Sequence, residues 1–315
     1  MKVLVTDYQW SDLEIETQIL GAMGCEIVLP EGTEESQLIA AAAGCNGIMA
    51  CWAQVPASVI AAAENCQIVS RMGIGLDNID LDYCTSKGIP VTNVPDYCVI
   101  EVAEHVLACL MALSRQVAFF HHETKSGKYD LSSAAPFRRL QGQTLGIVGL
   151  GNIGRYLAKI ANGVGLNVIG YSRSPKKLEG VSDVSLDQLL RESDFISINA
   201  PLTNETANLF STDEFKQMKP EAFLINTARG GLVDHDALAK ALVNNELAGA
   251  ALDVQVPEPP DLSLPPYNDP RVIVTPHAAF VSEESLADLR RRAAQQVADR
   301  LSGKVPENIV NGIEL

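Results

Sequence analysis

Apolar and polar positions in the first hundred residues alternate in a regular way. Short apolar runs alternate with segments of helical periodicity, and the runs lie at 2–7, 24–30, 46–51, 66–72 and 89–95. Strands that alternate with helices are typical of parallel sheets with helices on both faces. The pattern therefore predicts a doubly wound α/β domain.

A second alternating series begins near residue 144. Its apolar runs lie at 144–151, 167–172, 194–201, 222–229, 248–254 and 271–278. Six strands with intervening helices match the count of a dinucleotide-binding domain. The segment 100–124 predicts one long, largely buried helix that joins the two lobes, 125–142 predicts a loop, and 282–303 predicts an amphipathic helix. We predict one domain from 1–99 plus 283–315, with a dinucleotide-binding domain, 100–282, inserted into it.

Charge and composition narrow the function classes. The formal net charge is −15 and the sequence pI is about 4.7, which argues against nucleic-acid or anionic-membrane partners because both need a basic surface. The first apolar run ends at Asp7, too early for a signal-peptide core, and no uncharged apolar stretch is long enough for a membrane span. Seven cysteines, with no C-x-x-C pair, indicate reduced thiols rather than disulfides or a metal site. We expect a cytoplasmic protein without a metal.

The segment "GLGNIG" (149–154) fits the pattern G-x-G-x-x-G. It directly follows a predicted strand and opens a predicted helix, and this context makes the match specific. Gly149 would allow the tight turn, Gly151 would let the backbone approach a pyrophosphate, and Gly154 would let helix and strand pack closely. The free N–H groups of the helix N-terminus attract phosphate. The motif therefore predicts a bound dinucleotide.

The end of the next strand bears on which dinucleotide is bound. NAD sites usually place a carboxylate there for the ribose 2′-hydroxyl, but here Ser172, Arg173 and Ser174 follow the strand, then Lys176 and Lys177. A 2′-phosphate needs charged donors. We predict a preference for NADP(H), with Arg173 as the main contact. An NAD enzyme that lacks the acid and carries a solvated basic turn stays open as the alternative.

A series of ordered motifs resembles the D-isomer-specific 2-hydroxyacid dehydrogenase family. The matching segments cover nearly the whole chain and are "RMGIGLDNID" (71–80), "GIPVTNVPDYCVIEVAEH" (88–105), "VGLGNIG" (148–154), "NAPLTNET" (199–206), "INTARGGLVD" (225–234), "ALDVQVPEPP" (251–260) and "TPHAAF" (275–280). The resemblance implies a Rossmann cofactor domain inserted into a flavodoxin-like substrate domain. It also implies transfer of a hydride between NAD(P)H and a 2-oxo or 2-hydroxy acid.

The family's catalytic Arg, Glu and His match Arg229, Glu258 and His277. Reduction of a ketone builds negative charge on its oxygen, and a histidine can give that oxygen a proton. A carboxylate beside the histidine would favour its protonated form and fix its orientation. An arginine can hold the substrate carboxylate and polarise the carbonyl.

The resemblance also implies binding residues. Beyond the glycines and the 172–174 turn, the predicted cofactor contacts are Asn152, Ile153, Pro201, Thr206, Thr227, Ala228 and Asp253. On the substrate side, besides Arg229, we predict main-chain N–H groups around Met72 and Gly73, with Arg71 beside them and Trp52 in the covering loop.

The loop around Trp52 bears on the substrate. It has Cys51, Trp52 and Gln54 where a phosphorylated substrate would call for Arg or Lys. A glyoxylate- or hydroxypyruvate-like acid is therefore the favoured substrate, with phosphoglycerate dehydrogenase or a non-enzymatic, dinucleotide-sensing corepressor-like protein as alternatives. The family is usually dimeric through the cofactor domain, so a homodimer with 115–142 as its arm is expected.

Overall fold

The computed structural model describes residues 1–133, 137–174 and 177–315. These residues form two compact units. The terminal unit combines Met1–Tyr97 with Ser282–Leu315, and the central unit is Cys98–Val281. Each unit is built around its own parallel sheet.

The sheet of the terminal unit has the order β2-β1-β3-β4-β5, with every pairing parallel. This is the flavodoxin-like order that the family resemblance implied. Its strands are β1 (Lys2–Val5), β2 (Glu26–Val28), β3 (Gly47–Ala50), β4 (Val69–Arg71) and β5 (Val91–Thr92). Its helices are α1 (Glu14–Gly21), α2 (Glu35–Ala42), α3 (Ala57–Ala62), α4 (Leu81–Ser86) and α11 (Glu283–Leu301).

The two faces of this sheet bury different helices. Side chains alternate along a strand, so Val3 and Val5 pack in one cluster with Val297 of α11, whereas Leu4 packs in another with Leu38 of α2. All five side chains are fully buried. Burial on both faces explains why the strands read as continuous apolar runs.

A buried ion pair joins α1 to α11. The Arg290 guanidinium donates from Nε to Glu16 Oε1 at 2.9 Å and from an Nη to Glu16 Oε2 at 2.8 Å. Glu16 is fully buried and Arg290 is 8% exposed. Arg290 also donates to Asp12 Oδ1 at 2.8 Å, and this hydrogen bond, with those from the Glu14 N–H and the Ser11 hydroxyl, lowers the pKa of Asp12 to about 2. The pair holds together two segments at opposite ends of the chain.

The sheet of the central unit has the order β12-β11-β10-β9-β6-β7-β8, again all parallel. Counted from β6, this is the Rossmann order 3-2-1-4-5-6 with a seventh strand at the edge. Its strands are β6 (Thr144–Val148), β7 (Asn167–Tyr171), β8 (Ser182–Asp183), β9 (Phe195–Ile198), β10 (Phe223–Asn226), β11 (Gly249–Leu252) and β12 (Val272–Val274). The two-residue strand β8 was missing from the six predicted because it has no apolar run.

Helices of the central unit cover both faces of its sheet. They are α5 (Val99–Ser114), α6 (Val117–Lys125), α7 (Asn152–Gly163), α8 (Leu186–Glu192), α9 (Thr212–Gln217) and α10 (His235–Val243), with 3-10 turns at Leu131–Ser133 and Gly230–Leu232. Val106 and Leu110 of α5 pack with Leu157 of α7 and Ile147 of β6, and all four are fully buried.

The single long helix predicted over 100–124 is wrong. The segment forms two helices, which break at Arg115 and Gln116, where Gln116 has a left-handed φ of 51°. Helix α5 buries seven residues, but α6 buries none, and Val117 is 58% exposed. The apolar period continues across the break, so the sequence pattern did not reveal it.

Among the described residues, no single helix has the length and apolar character needed to cross a membrane. Helices α5 and α6 together meet that test by length and composition, with a bend of 62° between them.

Candidate active site and cofactor site

The glycine motif forms the turn between β6 and α7. Gly149 has a left-handed φ of 102°, and a Cβ there would lie 2.5 Å from Asn199 O. A Cβ at Gly154 would lie 2.1 Å from Gly149 O, so this position requires glycine for close packing. Gly151 caps α7, and a Cβ there would meet no atom within 4 Å. The space above Gly151 fits a ligand that approaches the main chain.

Two predicted cofactor residues flank this turn on α7. Asn152 is the first residue of the helix, and its Oδ1 accepts a hydrogen bond from Arg155 at 2.9 Å. Ile153 is half-buried and packs against the core beneath the turn. The free N–H groups of this twelve-residue helix are the ones suited to a pyrophosphate.

The turn after β7 carries Ser172, Arg173 and Ser174. Ser172 Oγ donates to Ser174 O at 2.7 Å, which closes the turn. Arg173 pairs with Glu205 at 3.2 Å, and both side chains are largely exposed, at 86% and 74%. No local pattern around Arg173 indicates this carboxylate, which lies 32 positions away. Lys176, which was part of the basic turn, lies outside the described residues.

The loop after β9 brings Pro201 and Thr206 together. Thr206 Oγ1 donates to Pro201 O at 2.7 Å and accepts the N–H of Thr203 at 2.8 Å. The hydroxyl of Thr206 thus shapes the loop. Glu205 lies on the same loop, so the loop also supplies the partner of Arg173.

The turn after β10 carries Thr227, Ala228 and Arg229. Thr227 Oγ1 is buried and has no hydrogen-bond partner within the described part of the chain. Buried polar atoms are almost always paired, so this hydroxyl is suited to a hydrogen bond with a ligand such as a dinucleotide. The N–H of Ala228 donates to Asn226 Oδ1 at 3.1 Å, and Arg229 donates to Ala228 O at 2.7 Å.

Close packing sets this turn against the segment after β11. A Cβ at Gly230 would lie 2.2 Å from Gln255 O, so only glycine permits the approach. Asn226 Nδ2 donates to Arg229 O at 2.8 Å and fixes the main chain of the arginine. The approach places Arg229 near the loop that carries Glu258.

Glu258 and His277 form a hydrogen-bonded pair. His277 Nδ1 lies 2.9 Å from Glu258 Oε2, with the side chains 19% and 32% exposed, respectively. Glu258 Oε1 accepts the N–H of Gln255 at 2.8 Å. Because a carboxylate only accepts, His277 donates from Nδ1, and Nε2 is the ring nitrogen suited to exchange a proton with a substrate.

The electrostatics around Glu258 favour its charged form. Burial raises the pKa of Glu258, but the hydrogen bonds from His277 and Gln255, with the positive charges of His277 and Arg229, outweigh burial and hold that pKa below its ordinary value. Glu258 is therefore ionised at neutral pH. The effect of Arg229 also shows that its charge lies within electrostatic reach of the pair.

Asp253 lies at the end of β11 beneath the turn that carries His277. It is 1% exposed, and its Oδ2 accepts the N–H of Ala279 at 2.9 Å. The family resemblance assigned Asp253 to the nicotinamide carboxamide. That assignment stays a prediction; in the structure the carboxylate accepts main-chain N–H groups of the 275–279 turn.

The predicted substrate residues of the terminal unit lie in or beside the loop after β3, which carries Trp52. Asp7, at the end of β1, accepts the N–H of Trp52 at 2.8 Å, and the Arg71 guanidinium carbon lies 6.0 Å from the centre of the Trp52 ring. Arg71 is buried and donates from Nε to Asn78 Oδ1 at 3.1 Å. The organising role of Asp7 was not predicted.

One substrate prediction needs correction. The N–H of Met72 donates to Ala50 O at 2.8 Å, so it extends the sheet rather than offering a donor to a substrate carboxylate. Gly73, with a φ of 158°, lies beside the Arg71 guanidinium, and a Cβ there would lie 2.5 Å from Arg71 Nη1. Gly73 therefore remains the predicted main-chain donor to the substrate carboxylate.

Sequence reasoning also missed two polar residues that support the pair. Gln255 holds Glu258 through its N–H and donates from Nε2 to Thr275 O at 3.1 Å. His105 of α5 lies 3.1 Å from Thr275 Oγ1. No local pattern marks either side chain, because Gln255 Nε2 and His105 both bond to Thr275 in another segment of the chain.

Comparisons with known proteins agree with this geometry. A family model described as "D-isomer specific 2-hydroxyacid dehydrogenase, NAD binding domain" matches residues 107–279. A glyoxylate reductase of Korarchaeum cryptofilum is 39% identical over 271 residues, which cover 82% of this chain and 80% of that protein. A D-3-phosphoglycerate dehydrogenase of Archaeoglobus fulgidus is 34% identical over 293 residues, 91% of this chain, but this chain spans only 55% of that protein.

Solved structures share the fold along the whole chain. The D-lactate dehydrogenase of Aquifex aeolicus, in complex with NAD and lactic acid, matches with a TM-score of 0.89 and 28% identity, covering 99% of this chain and 100% of that one. An acyclic imino acid reductase, in complex with NADPH and D-Arg, matches with a TM-score of 0.86 and 25% identity, covering 98% and 100%.

The central sheet and its glycine turn define a Rossmann-type dinucleotide-binding domain within a two-unit α/β protein. The chain belongs to the D-isomer-specific 2-hydroxyacid dehydrogenase family. The resemblance drawn from the ordered motifs is thereby confirmed.

Proposed function

We propose that this protein is a 2-hydroxyacid dehydrogenase that interconverts a small 2-oxo acid and its 2-hydroxy acid. The hydrogen-bonded pair of His277 and Glu258, within electrostatic reach of Arg229, carries the proposal. All three side chains follow strands of one parallel sheet at its carboxyl edge, where open α/β sheets bind ligands. Family membership and the matched glyoxylate reductase support it.

Each residue has a distinct task in the reduction. Arg229 would clamp the substrate carboxylate and draw electron density from the keto oxygen. His277 would give a proton from Nε2 to that oxygen, and in the reverse direction would accept the alcohol proton. Glu258 holds the ring through Nδ1 and balances the positive charge of the imidazolium. A bound nicotinamide dinucleotide would supply or accept the hydride.

The residues present fit such a dinucleotide. The open space at Gly151 and the N-terminus of α7 would receive the pyrophosphate, and the buried hydroxyl of Thr227 would face the nicotinamide end. The preference for NADP(H) rests on Arg173. Its pair with Glu205 is exposed, and exposed pairs contribute little, so the guanidinium can turn to a 2′-phosphate at small cost.

Arg173→Ala tests the cofactor preference. A charged hydrogen bond contributes roughly 1.5–3 kcal/mol, so we expect the Kd of NADPH to rise about 10- to 150-fold and that of NADH to change less than about twofold. Fluorescence titration of both dinucleotides measures this. Glu205→Gln is the matched control, because it removes the competing carboxylate and should tighten NADPH. A Kd of NADPH that Arg173→Ala leaves unchanged would instead favour an NAD enzyme with a solvated basic turn.

A glyoxylate- or hydroxypyruvate-like acid is the proposed substrate. The loop at Trp52 is held by Asp7 and contains no lysine or arginine at 51–54, whereas a phosphate favours such donors. We expect kcat/KM for glyoxylate or hydroxypyruvate to exceed that for 3-phosphohydroxypyruvate by about tenfold or more, the loss of roughly one charge-assisted contact. Absorbance at 340 nm across a panel of 2-oxo acids measures it.

Two outcomes of this panel would point elsewhere. Fastest turnover of the phosphorylated acid would identify a phosphoglycerate dehydrogenase. Tight dinucleotide binding without turnover of any acid would favour a dinucleotide-sensing binding protein of the corepressor type.

The assembly and the cellular location stay predictions. Apolar side chains on the segment that follows α5 are exposed, and they are Val117, Tyr129, Leu131 and Phe137. Exposed apolar side chains on one segment are typical of an interface. A homodimer that uses this segment is therefore our expectation, and light scattering would show twice the chain mass of 33.8 kDa.

A further inference from the structure

The turn that carries His277 is anchored on one buried carboxylate. The N–H of Ala278 donates to Asp253 Oδ1 and that of Ala279 to Oδ2, each at 2.9 Å, and the N–H of His277 donates to Asp253 O at 2.8 Å. His277 itself has a left-handed φ of 52°, a conformation that costs energy for a residue with a side chain. The turn therefore depends on where the Asp253 carboxylate is held.

Thr275 fixes that carboxylate from the side. Its hydroxyl donates to Asp253 Oδ1 at 2.6 Å. A threonine hydroxyl has a single proton, and an ionised carboxylate can only accept. Since that proton lies between Thr275 and Asp253, Thr275 Oγ1 must act as the acceptor toward any other polar neighbour.

His105 is that neighbour. Its Nε2 lies 3.1 Å from Thr275 Oγ1 and 3.6 Å from Asp253 Oδ1. Because Thr275 Oγ1 accepts here, Nε2 of His105 must carry a proton and donate it. The imidazole is only 22% exposed. It projects from α5, whose residues Val106 and Leu110 are fully buried, so the ring starts from a rigid element.

We propose that His105 is a positioning residue for His277. The Nε2–H of His105 directs the Thr275 hydroxyl toward Asp253, and the Asp253 carboxylate then holds the main chain from 277 to 279. The network links α5 to the ends of β11 and β12. The catalytic consequence rests on the proposed function, in which His277 exchanges a proton with the substrate. The proton arrangement does not depend on it.

The first experiment reads the proton arrangement without turnover. In protein labelled with ¹⁵N-histidine, the imidazole signals distinguish Nδ1–H from Nε2–H, and His105→Leu assigns the signal of residue 105. We expect His105 to be protonated at Nε2, and we expect the His277 Nδ1–H signal to shift or broaden in His105→Leu. A His105 ring protonated only at Nδ1, or a His277 signal unchanged in His105→Leu, would overturn the proposal. This result stands even if no 2-oxo acid is reduced.

The second experiment separates positioning from folding. His105→Leu removes the donor at similar volume, whereas His105→Gln keeps an N–H group. Small misplacements of catalytic groups cost up to about 100-fold, so we expect kcat of His105→Leu to fall about 10- to 100-fold while the Kd of NADPH changes less than about threefold. His105→Gln should retain kcat within about threefold.

Glu104→Leu is the matched control, because this neighbouring side chain on α5 is exposed. It should leave kcat and the melting temperature near those of the unchanged protein. A His105→Leu protein with unchanged kcat, or a His105→Gln protein as slow as His105→Leu, would refute the positioning role. A loss of turnover that is fully explained by a lower melting temperature would refute it as well. Absence of turnover in the unchanged protein would instead count against the proposed function.

Discussion

His277→Asn is expected to reduce kcat for 2-oxo acid reduction by roughly 10²- to 10⁴-fold, the contribution typical of a general acid. The substitution removes the ring nitrogen that faces away from Glu258, and the asparagine amide does not release a proton near neutral pH. Steady-state absorbance at 340 nm, at saturating NADPH, measures the change.

Asparagine is chosen because of the backbone at this position. His277 has a φ of 52°, and asparagine tolerates the left-handed region better than most residues. His277→Ala would add backbone strain in the turn and confuse a chemical effect with a structural one. We therefore expect His277→Asn to keep the fold. The Kd of NADPH should change less than about threefold, because the glycine turn at Gly149–Gly154 is untouched.

His121→Asn supplies the control for this experiment. His121 is an exposed residue of α6, and we expect its substitution to leave kcat unchanged. Retention of turnover within a few-fold in His277→Asn would contradict the assignment of His277 as the proton donor. A parallel loss of NADPH binding would instead mean that the turn has collapsed.

Arg290→Met is expected to lower the free energy of unfolding of the terminal unit by about 3–5 kcal/mol, the cost typical of breaking a buried ion pair from one side. The substitution leaves the fully buried Glu16 carboxylate without its guanidinium partner. Both tryptophans of the chain, Trp10 and Trp52, lie in this unit, so the urea midpoint by intrinsic fluorescence reports its unfolding.

Two companion variants sharpen this result. Arg291→Met breaks an exposed pair with Asp288 on the same helix, where the arginine side chain is 60% exposed, and should cost less than about 1 kcal/mol. Glu16→Leu combined with Arg290→Met should recover much of the loss, because apolar residues often replace a buried ion pair without cost. Equal effects of Arg290→Met and Arg291→Met would show that the buried pair contributes no more to the free energy of unfolding than the exposed pair.

The sequence alone determined the class of fold and the outline of the cofactor site. Strands that are buried on both faces of a sheet appear in the sequence as continuous apolar runs, and the helices between them show a helical period instead. The alternation of these two patterns along the chain identified two doubly wound sheets. The glycine motif is also local, because Gly149 takes a left-handed φ and Gly154 packs against Gly149 O within one strand-turn-helix unit, whereas Gly151 leaves space for a ligand. The proposed catalytic roles of Arg229, Glu258 and His277 came from family motifs rather than from any period.

Tertiary structure decided what joins distant parts of the chain. Glu205 meets Arg173, His105 meets Thr275 and Glu16 meets Arg290 across 32, 170 and 274 positions, respectively. The helix break at Gln116 was hidden because the apolar period runs through it. Periodicity and turn chemistry act over a few residues, whereas strand order and helix packing decide which polar groups share a buried environment. Only the assembled sheets therefore reveal the partners of Asp253 and the turn they hold.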